Sequence, residues 1–292
     1  LSDYRIKSPY EENPKLADDL EVASDFEDDK CLTLFTQKAL DWIKDREKTR
    51  PFFLYLPFTS PHKPVIPLKK FRGQGAAGAY GEFMIETDHH VGQILRTLDD
   101  EKITNNTLVI FTSDNGPERT WVERSKKYNH QSNGVFREGK RSIYEGGHRV
   151  PFILRWPRKI PANQKINAPI CQTDILATIA DIIGKKLPDN CAEDSNSFFE
   201  ELLNPDHEKV RPPIIHHSSS GRFAIREGSW KLIMEGQKPR EKRELYNLND
   251  DISESKDIAA ENPEILAKVR EIMTTQHTPS TQFPFKPLDE VE

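Results

Sequence analysis

The sequence predicts an α/β domain, a mostly parallel sheet flanked by helices, joined to a smaller α+β appendage with an antiparallel sheet. Three observations predict it. Pro51–Leu56 and Leu108–Phe111 are short apolar runs of the length expected for strands buried on both faces. Between them the apolar positions Tyr80, Phe83, Met84, Thr87, Val91, Ile94, Leu95 and Leu98 follow helical spacing, so strand, helix and strand form a parallel βαβ unit. Beyond Pro188 the pattern changes to short strands around a Glu227-Gly228 turn. The boundary expected from this change puts the α/β portion at residues 1–190 and the antiparallel-sheet subdomain at 191–292.

The elements follow in order. Residues 1–29 are polar and acidic without periodicity and read as surface loop. Leu32, Phe35, Ala39, Trp42 and Ile43 mark a helix from Cys31 to about Asp45. The run at Pro51 opens into a proline-rich segment that forbids helix and holds His62 and Lys63 in an extended, stiff loop. After the Leu108 strand comes a polar excursion, Pro117–Asn133, and then a glycine-rich stretch around Lys140, Arg141, His148 and Arg149. Phe152–Trp156 is a further strand. Thr173-Asp174 caps a helix with Ile175, Leu176, Ile179, Ile182 and Ile183 on its apolar face, and Gly184 ends it. His216 and His217 fall in a loop before the Arg222–Met234 hairpin. Glu244–Leu248 is a third strand, and Pro263 starts a helix through Met273.

Composition narrows the classes of function. A chain of 292 residues buries a substantial core, and a net charge of −5 with mixed signs implies no general attraction to nucleic acid. No apolar run approaches a membrane span. Three cysteines, Cys31, Cys171 and Cys191, have no metal-ligand spacing. Cys171 and Cys191 either pair in an oxidising compartment or stay free.

Asp114-Asn115-Gly116 stands where the Leu108 strand ends. In an open α/β sheet the carboxyl ends of strands are where ligands bind, and two adjacent oxygen donors suit a hard cation such as Ca²⁺ or Mg²⁺. An ordinary Asn-Gly turn is the other reading of the same residues. For Asp88, His89 and His90 a polar helix face suffices.

Taken in order, PFFLYLPFTSPHKP, NNTLVIFTSDNGP, GKRSIYEGGHRVPFILRWP, GRFAIREGSWKLI and ELYNLNDD resemble the formylglycine-dependent sulfatases, over about residues 30–273. The resemblance implies an alkaline-phosphatase-like fold, with residues 1–190 as the C-terminal portion of the catalytic domain. It implies that Asp114 and Asn115 are ligands of one Ca²⁺ ion and that His62 and Lys140 contact the sulfate ester as catalytic residues. Lys63, His216 and His217 are further substrate-binding candidates. The expected activity is sulfate-ester hydrolysis on a sulfated glycan or small molecule. A phosphodiesterase or phosphonate hydrolase of the same superfold, and a non-catalytic glycan-binding relative, are the alternatives. Export or a lysosomal location is expected from the family; the sequence says nothing of oligomeric state.

One departure from the family pattern matters. The formylglycine nucleophile is made from the Cys or Ser of a C/S-x-P/A-x-R motif, and Cys31-Leu32-Thr33, Cys171-Gln172-Thr173 and Cys191-Ala192-Glu193 all fail it. The paired aspartates that complete the family's metal site and a GKWHLG-like block are also missing. All three belong to the N-terminal part of family members. The expectation is that this sequence is the C-terminal portion of a sulfatase and that the portion alone is inactive.

Overall fold

A computed structural model describes residues 27–204, 211–236, 241–282, 284–285 and 288–289. Most of the acidic stretch read as surface loop, residues 1–26, lies outside them. Two compact units are present, the first including residues up to Thr107 together with Val122–His130, the second Leu108–Trp121 with the chain from Gln131 on.

In the first unit α1 (Cys31–Asp45) buries Leu32, Thr36, Ala39, Leu40 and Ile43, a stripe at spacings of three and four. Phe35 and Trp42, expected on that stripe, are exposed. The second helix, α2 (Gly78–Asp100), departs further from its apolar pattern. Its buried face carries Glu82, Glu86, Thr87 and His90 beside Phe83 and Leu98, whereas Met84 is exposed. The polar face read for Asp88, His89 and His90 therefore fails at His90. These polar groups serve the preceding loop: Glu86 accepts the Leu68 amide at 2.9 Å and Glu82 the Gly73 amide at 2.7 Å. Leu32, Val65 and Phe83 form the apolar centre.

Pro51–Leu56 also lies in this unit and carries no ladder, against the expectation of a buried strand. Phe53 and Tyr55 are 72% and 76% exposed. The segment alternates half-buried and exposed residues along its length, but no neighbouring strand takes up its N–H and C=O groups.

The second unit opens with β1 (Val109–Thr112), which pairs antiparallel with β2 (Phe152–Arg155), Val109 opposite Arg155 and Thr112 opposite Phe152. Among the described residues no strand pair is parallel, so the mixed α/β class stands while the expected βαβ pairing does not form. The physical reason is that β1 takes its hydrogen-bond partner from the strand that returns after the polar excursion, not from the one before α2. Within that excursion Trp121–Tyr128 forms helix α3, where the sequence read only loop. Its Arg124 guanidinium lies 3.9 Å from the Tyr80 ring centroid, a cation–π contact inside the first unit.

A one-turn helix, α4 (Glu145–His148), precedes β2. α5 (Asp174–Ile182) buries Asp174, Thr178 and Ala180, while Leu176 and Ile183 of its apolar stripe are exposed. Asp174 explains the inversion. Its carboxylate accepts the Cys171 and Asn196 amides and pairs bidentately with Arg211 at 2.8–3.1 Å, tying three segments together. A short α6 (Phe199–Leu203) follows.

The antiparallel sheet runs in the order β3 (Ile214–His217), β4 (Phe223–Glu227), β5 (Trp230–Glu235) and β6 (Lys242–Asn247). The expected hairpin is present, with Glu227 opposite Trp230 and Gly228 at φ +58° in the turn. His216 and His217, read as loop, belong to edge strand β3. One face packs Phe223, Ile225, Leu232, Met234 and Leu245 against Val269 and Met273 of α7 (Pro263–Gln276). The other packs Ala224, Ile233 and Tyr246 against Ile143 and Tyr144, the residues just before α4. All three cysteines are free.

Candidate functional site

The site in the second unit is built from three loops held mainly by their backbones. β1 ends at Thr112, and Asp114 stands exposed on the turn beyond it. One Asp114 oxygen accepts the Asn115 amide at 2.9 Å, and the Asn115 side-chain N–H donates to the Gly116 carbonyl at 3.0 Å. Among the described residues, neither the second Asp114 oxygen nor the Asn115 side-chain oxygen makes a hydrogen bond. Gln172 donates from its side-chain amide to the Ser113 carbonyl at 2.5 Å and steadies the same turn.

Gly116 fixes this turn against α4. Its amide donates to the Gly147 carbonyl at 2.9 Å, and a Cβ there would stand 1.8 Å from the Gly146 carbonyl oxygen. Only glycine allows that approach. The next residue, Pro117, accepts the Lys140 amide at 2.8 Å. Arg141 clamps Glu118 with 2.8 Å contacts to both carboxylate oxygens. Lys140 is flanked by two left-handed residues, Glu138 at φ +60° and Arg141 at φ +75°. Such backbone costs about 1–3 kcal/mol per residue and persists where the surroundings over-determine it. The Lys140 ammonium makes no hydrogen bond or ion pair among the described residues. The turn that carries Asp114 and Asn115 and the loop that carries Lys140 are thus each tied to neighbouring backbone by main-chain hydrogen bonds.

His62 lies in the first unit, on a turn and not in an extended loop. Its amide donates to Thr59 O at 3.0 Å, and the Ser60–Pro61 and Lys63–Pro64 peptides are cis. The ring Nδ1 is engaged with the Lys63 carbonyl at 2.7 Å, which leaves Nε2 for other chemistry. Thr87 of α2 donates to the Ser60 hydroxyl at 2.8 Å and anchors the turn. Lys63 shares it, half-buried.

The two further histidines part company. His217 turns its ring toward Phe223, with centroids 5.4 Å apart, and Nδ1 toward Ser218 O. His216 Nε2 sits 3.1 Å from His148 Nε2, which is itself 3.3 Å from Lys231 Nζ. His216 is therefore held in an internal charged cluster that sequence reasoning missed. Its centre is Lys231, fully buried on β5, with Glu145 at 2.9 Å and Glu254 at 2.7 Å. Burial pushes the Glu145 carboxyl up, but Lys231, His148 and Arg226 outweigh it and hold it down at about 2. Burial, with Lys231 adding to it, lowers His148 to about 4; burial and the neighbouring His148 lower His216 well below its ordinary value. Burial pushes Glu254 up, against Lys231. The only advance signal was a lysine in the alternating run Trp230–Met234, at a position whose neighbours face the core.

The donor set suits calcium in kind, since a carboxylate and an amide oxygen are hard ligands. It is partial in number: among the described residues no group of three or more His, Cys, Asp or Glu is placed to hold a metal.

Comparison with known proteins identifies the family. The sulfatase family profile matches residues 4–185, and that of the N-sulphoglucosamine sulphohydrolase C-terminal region matches residues 133–278. The chain is 33% identical over 269 residues to an N-acetylgalactosamine-6-O-sulfatase of Bacteroides thetaiotaomicron, covering 87% of this chain and 52% of that protein. It is 35% identical over 198 residues to human steryl-sulfatase, covering 68% and 34% respectively. A solved Bacteroides thetaiotaomicron structure, from work on the metabolism of multiple glycosaminoglycans, superposes with a TM-score of 0.77 at 32% identity. That superposition covers 86% of this chain and 55% of the other. The chain spans about half the length, or less, of the curated relatives it matches. With a mixed α/β architecture of the alkaline-phosphatase type and a family match over more than half its residues, this chain belongs to the sulfatase family.

Proposed function

We propose that the protein carrying this chain hydrolyses sulfate esters of a glycan and that residues 108–149 contribute the metal-and-cation side of its active site. The observation that carries the reading is the double main-chain tie, Gly116 to Gly147 and Lys140 to Pro117, which joins the turn carrying two hard oxygen donors to the loops on either side of the Lys140 ammonium. The names of relatives that act on N-acetylgalactosamine 6-O-sulfate support the substrate class.

Asp114 and Asn115 would hold Ca²⁺, with the remaining ligands coming from outside the described residues, as would the formylglycine nucleophile. When bound, the ion offsets charge on the sulfate oxygens and on the developing transition state. This chain's own residues do the rest. Lys140 pairs its ammonium with a non-bridging sulfate oxygen, where charge is spread over the group. In its doubly protonated form His62 donates its Nδ1–H to the Lys63 carbonyl and delivers its second ring proton, on Nε2, to the leaving ester oxygen as the S–O bond breaks. Lys63 and His217 add polar contacts for the sugar. His216 is the weaker candidate for a substrate contact, with Nε2 facing His148 at 3.1 Å and Nδ1 buried. No helix among the described residues is long and apolar enough to cross a membrane, and an exported or lysosomal setting fits the glycan substrate.

The test is sulfate release by the complete protein from N-acetylgalactosamine 6-sulfate and a panel of other sulfated sugars, with and without a calcium chelator. Release that the chelator abolishes is expected. Hydrolysis of phosphate or phosphonate esters with no sulfate released from any member of the panel would overturn the assignment.

A further inference from the structure

Lys231 and Glu254 lie far in sequence from Asp114, Asn115 and Lys140, yet they grip the scaffold of that turn. Lys231 sits on the face of β5 that packs on Ile143 and Tyr144, and it is fully buried. Its ammonium bridges Glu145 at 2.9 Å and Glu254 at 2.7 Å. Glu254 uses its other oxygen to accept the Glu145 amide at 2.6 Å, capping the start of α4 from outside the helix. The Glu254 carbonyl in turn accepts from Arg137 at 2.8 Å, and Arg137 offers its own carbonyl to the Gly146 amide at 2.9 Å. The far end of α4 presents the Gly146 and Gly147 carbonyls on which Gly116 rests.

A buried ion network is a weak way to gain stability, because desolvation offsets most of the attraction and apolar residues of the same volume often do as well. What apolar packing does not supply is a fixed orientation for a one-turn helix that has too few internal hydrogen bonds to hold itself. The ion pairs and the external cap define which way α4 points, and α4 defines where the Asp114–Asn115 turn lies.

We infer that Lys231 and Glu254 are positioning residues for the calcium-ligand turn, a key by which the antiparallel sheet sets the geometry of Asp114, Asn115 and Lys140. The inference rests on the proposed calcium role of Asp114 and Asn115.

The experiment compares Lys231→Met, Glu254→Gln and Asp114→Ala in the complete protein. For each variant, calcium affinity is measured by titration calorimetry on the chelator-stripped protein, melting temperature without calcium, and kcat and KM on the sulfated sugar that the enzyme turns over. Residues that orient ligands typically change metal affinity or activity about 10–100-fold. Lys231→Met is expected to weaken calcium binding by about that factor and to lower kcat far more than it raises KM. Glu254→Gln, which keeps an acceptor for the Glu145 amide, is expected to show the same pattern at smaller size. It also decides the question if Lys231→Met does not fold. Calcium affinity unchanged in the folded variants, whatever their melting temperatures, overturns the positioning role. Asp114→Ala separates the two claims: if it too leaves calcium affinity intact, the metal reading itself fails and the inference falls with it.

Discussion

The amide of Gly116 donates to the carbonyl of Gly147 at 2.9 Å, joining the turn after β1 to the one-turn helix before β2. A methyl group on Gly116 would sit 1.8 Å from the Gly146 carbonyl oxygen, a backbone atom with no freedom to swing aside. Gly116→Ala is therefore expected to force the two loops apart. Overpacking of this kind costs about 1–3 kcal/mol, and the displaced donors should lower calcium affinity as well. A variant with native melting temperature and native calcium affinity would show that the loops tolerate separation.

Asp114→Ala is expected to remove calcium retention and turnover together in the complete protein. The motive is a carboxylate that spends one oxygen on the Asn115 amide and whose other oxygen makes no hydrogen bond among the described residues. Metal analysis of the purified, folded variant decides it; a full calcium complement would exclude Asp114 as a ligand.

His62→Ala and Lys140→Ala should each lower kcat by about 10²–10³-fold, the usual cost of losing one preorganised charge-stabilising donor. The fold should survive both changes, since His62 is exposed and the Lys140 loop is held by its main chain. Near-native turnover on the true substrate would remove the substituted residue from the mechanism.

Asp174→Ala should act on stability. It strands Arg211, whose side chain is 10% exposed, and releases the Cys171 and Asn196 amides. Breaking a buried pair in this way typically costs about 3–5 kcal/mol. Urea denaturation of the calcium-free protein measures it, and a loss below about 1 kcal/mol would contradict the account of α5.

Acidification should loosen the fold in two stages. His148 is lowered from 6.5 to about 4, so between these values the unfolded chain takes a proton that the native state refuses. Its contribution is complete above pH 6.5 and is lost as pH falls toward 4, a window in which His216, also lowered well below 6.5, loses stability in the same direction. Glu145, lowered from 4.5 to about 2, contributes above pH 4.5 and loses that contribution below it. Melting temperature measured in chelator should therefore drop between pH 6.5 and 4, and His148→Gln should flatten that drop. An unchanged slope in the variant would assign the acid sensitivity elsewhere.

What could be read from the sequence was local chemistry. The Asp114–Gly116 turn, the β4–β5 hairpin and the C-terminal helix each declare themselves within a few residues, and the structure has all three. Elements whose character depends on distant partners were misjudged. Asp174 looked like a helix cap until Arg211 and Asn196 arrived to bury it. Pro51–Leu56 had the composition of a buried strand but no neighbour to ladder with. Lys231 meets Glu145 across 86 residues, and Glu145 meets Glu254 across 109, separations at which no periodicity speaks. His216 carried the right residue type for a substrate contact; its engagement with His148 is a fact of three-dimensional packing alone.

The 2.8 Å bond from the Lys140 amide to Pro117 closes the base of the excursion between them. A loop pinned at its neck can change length cheaply, since doubling a flexible loop adds only about 0.6 kcal/mol of closure entropy. Changes of length between Arg119 and Ser132, upstream of the Arg137 that holds α4, would then leave the turn of oxygen donors and the Lys140 loop tied as before. On the proposed function, the neck separates what would have to stay constant for sulfate chemistry from what would be free to diverge with the sugar that carries the sulfate.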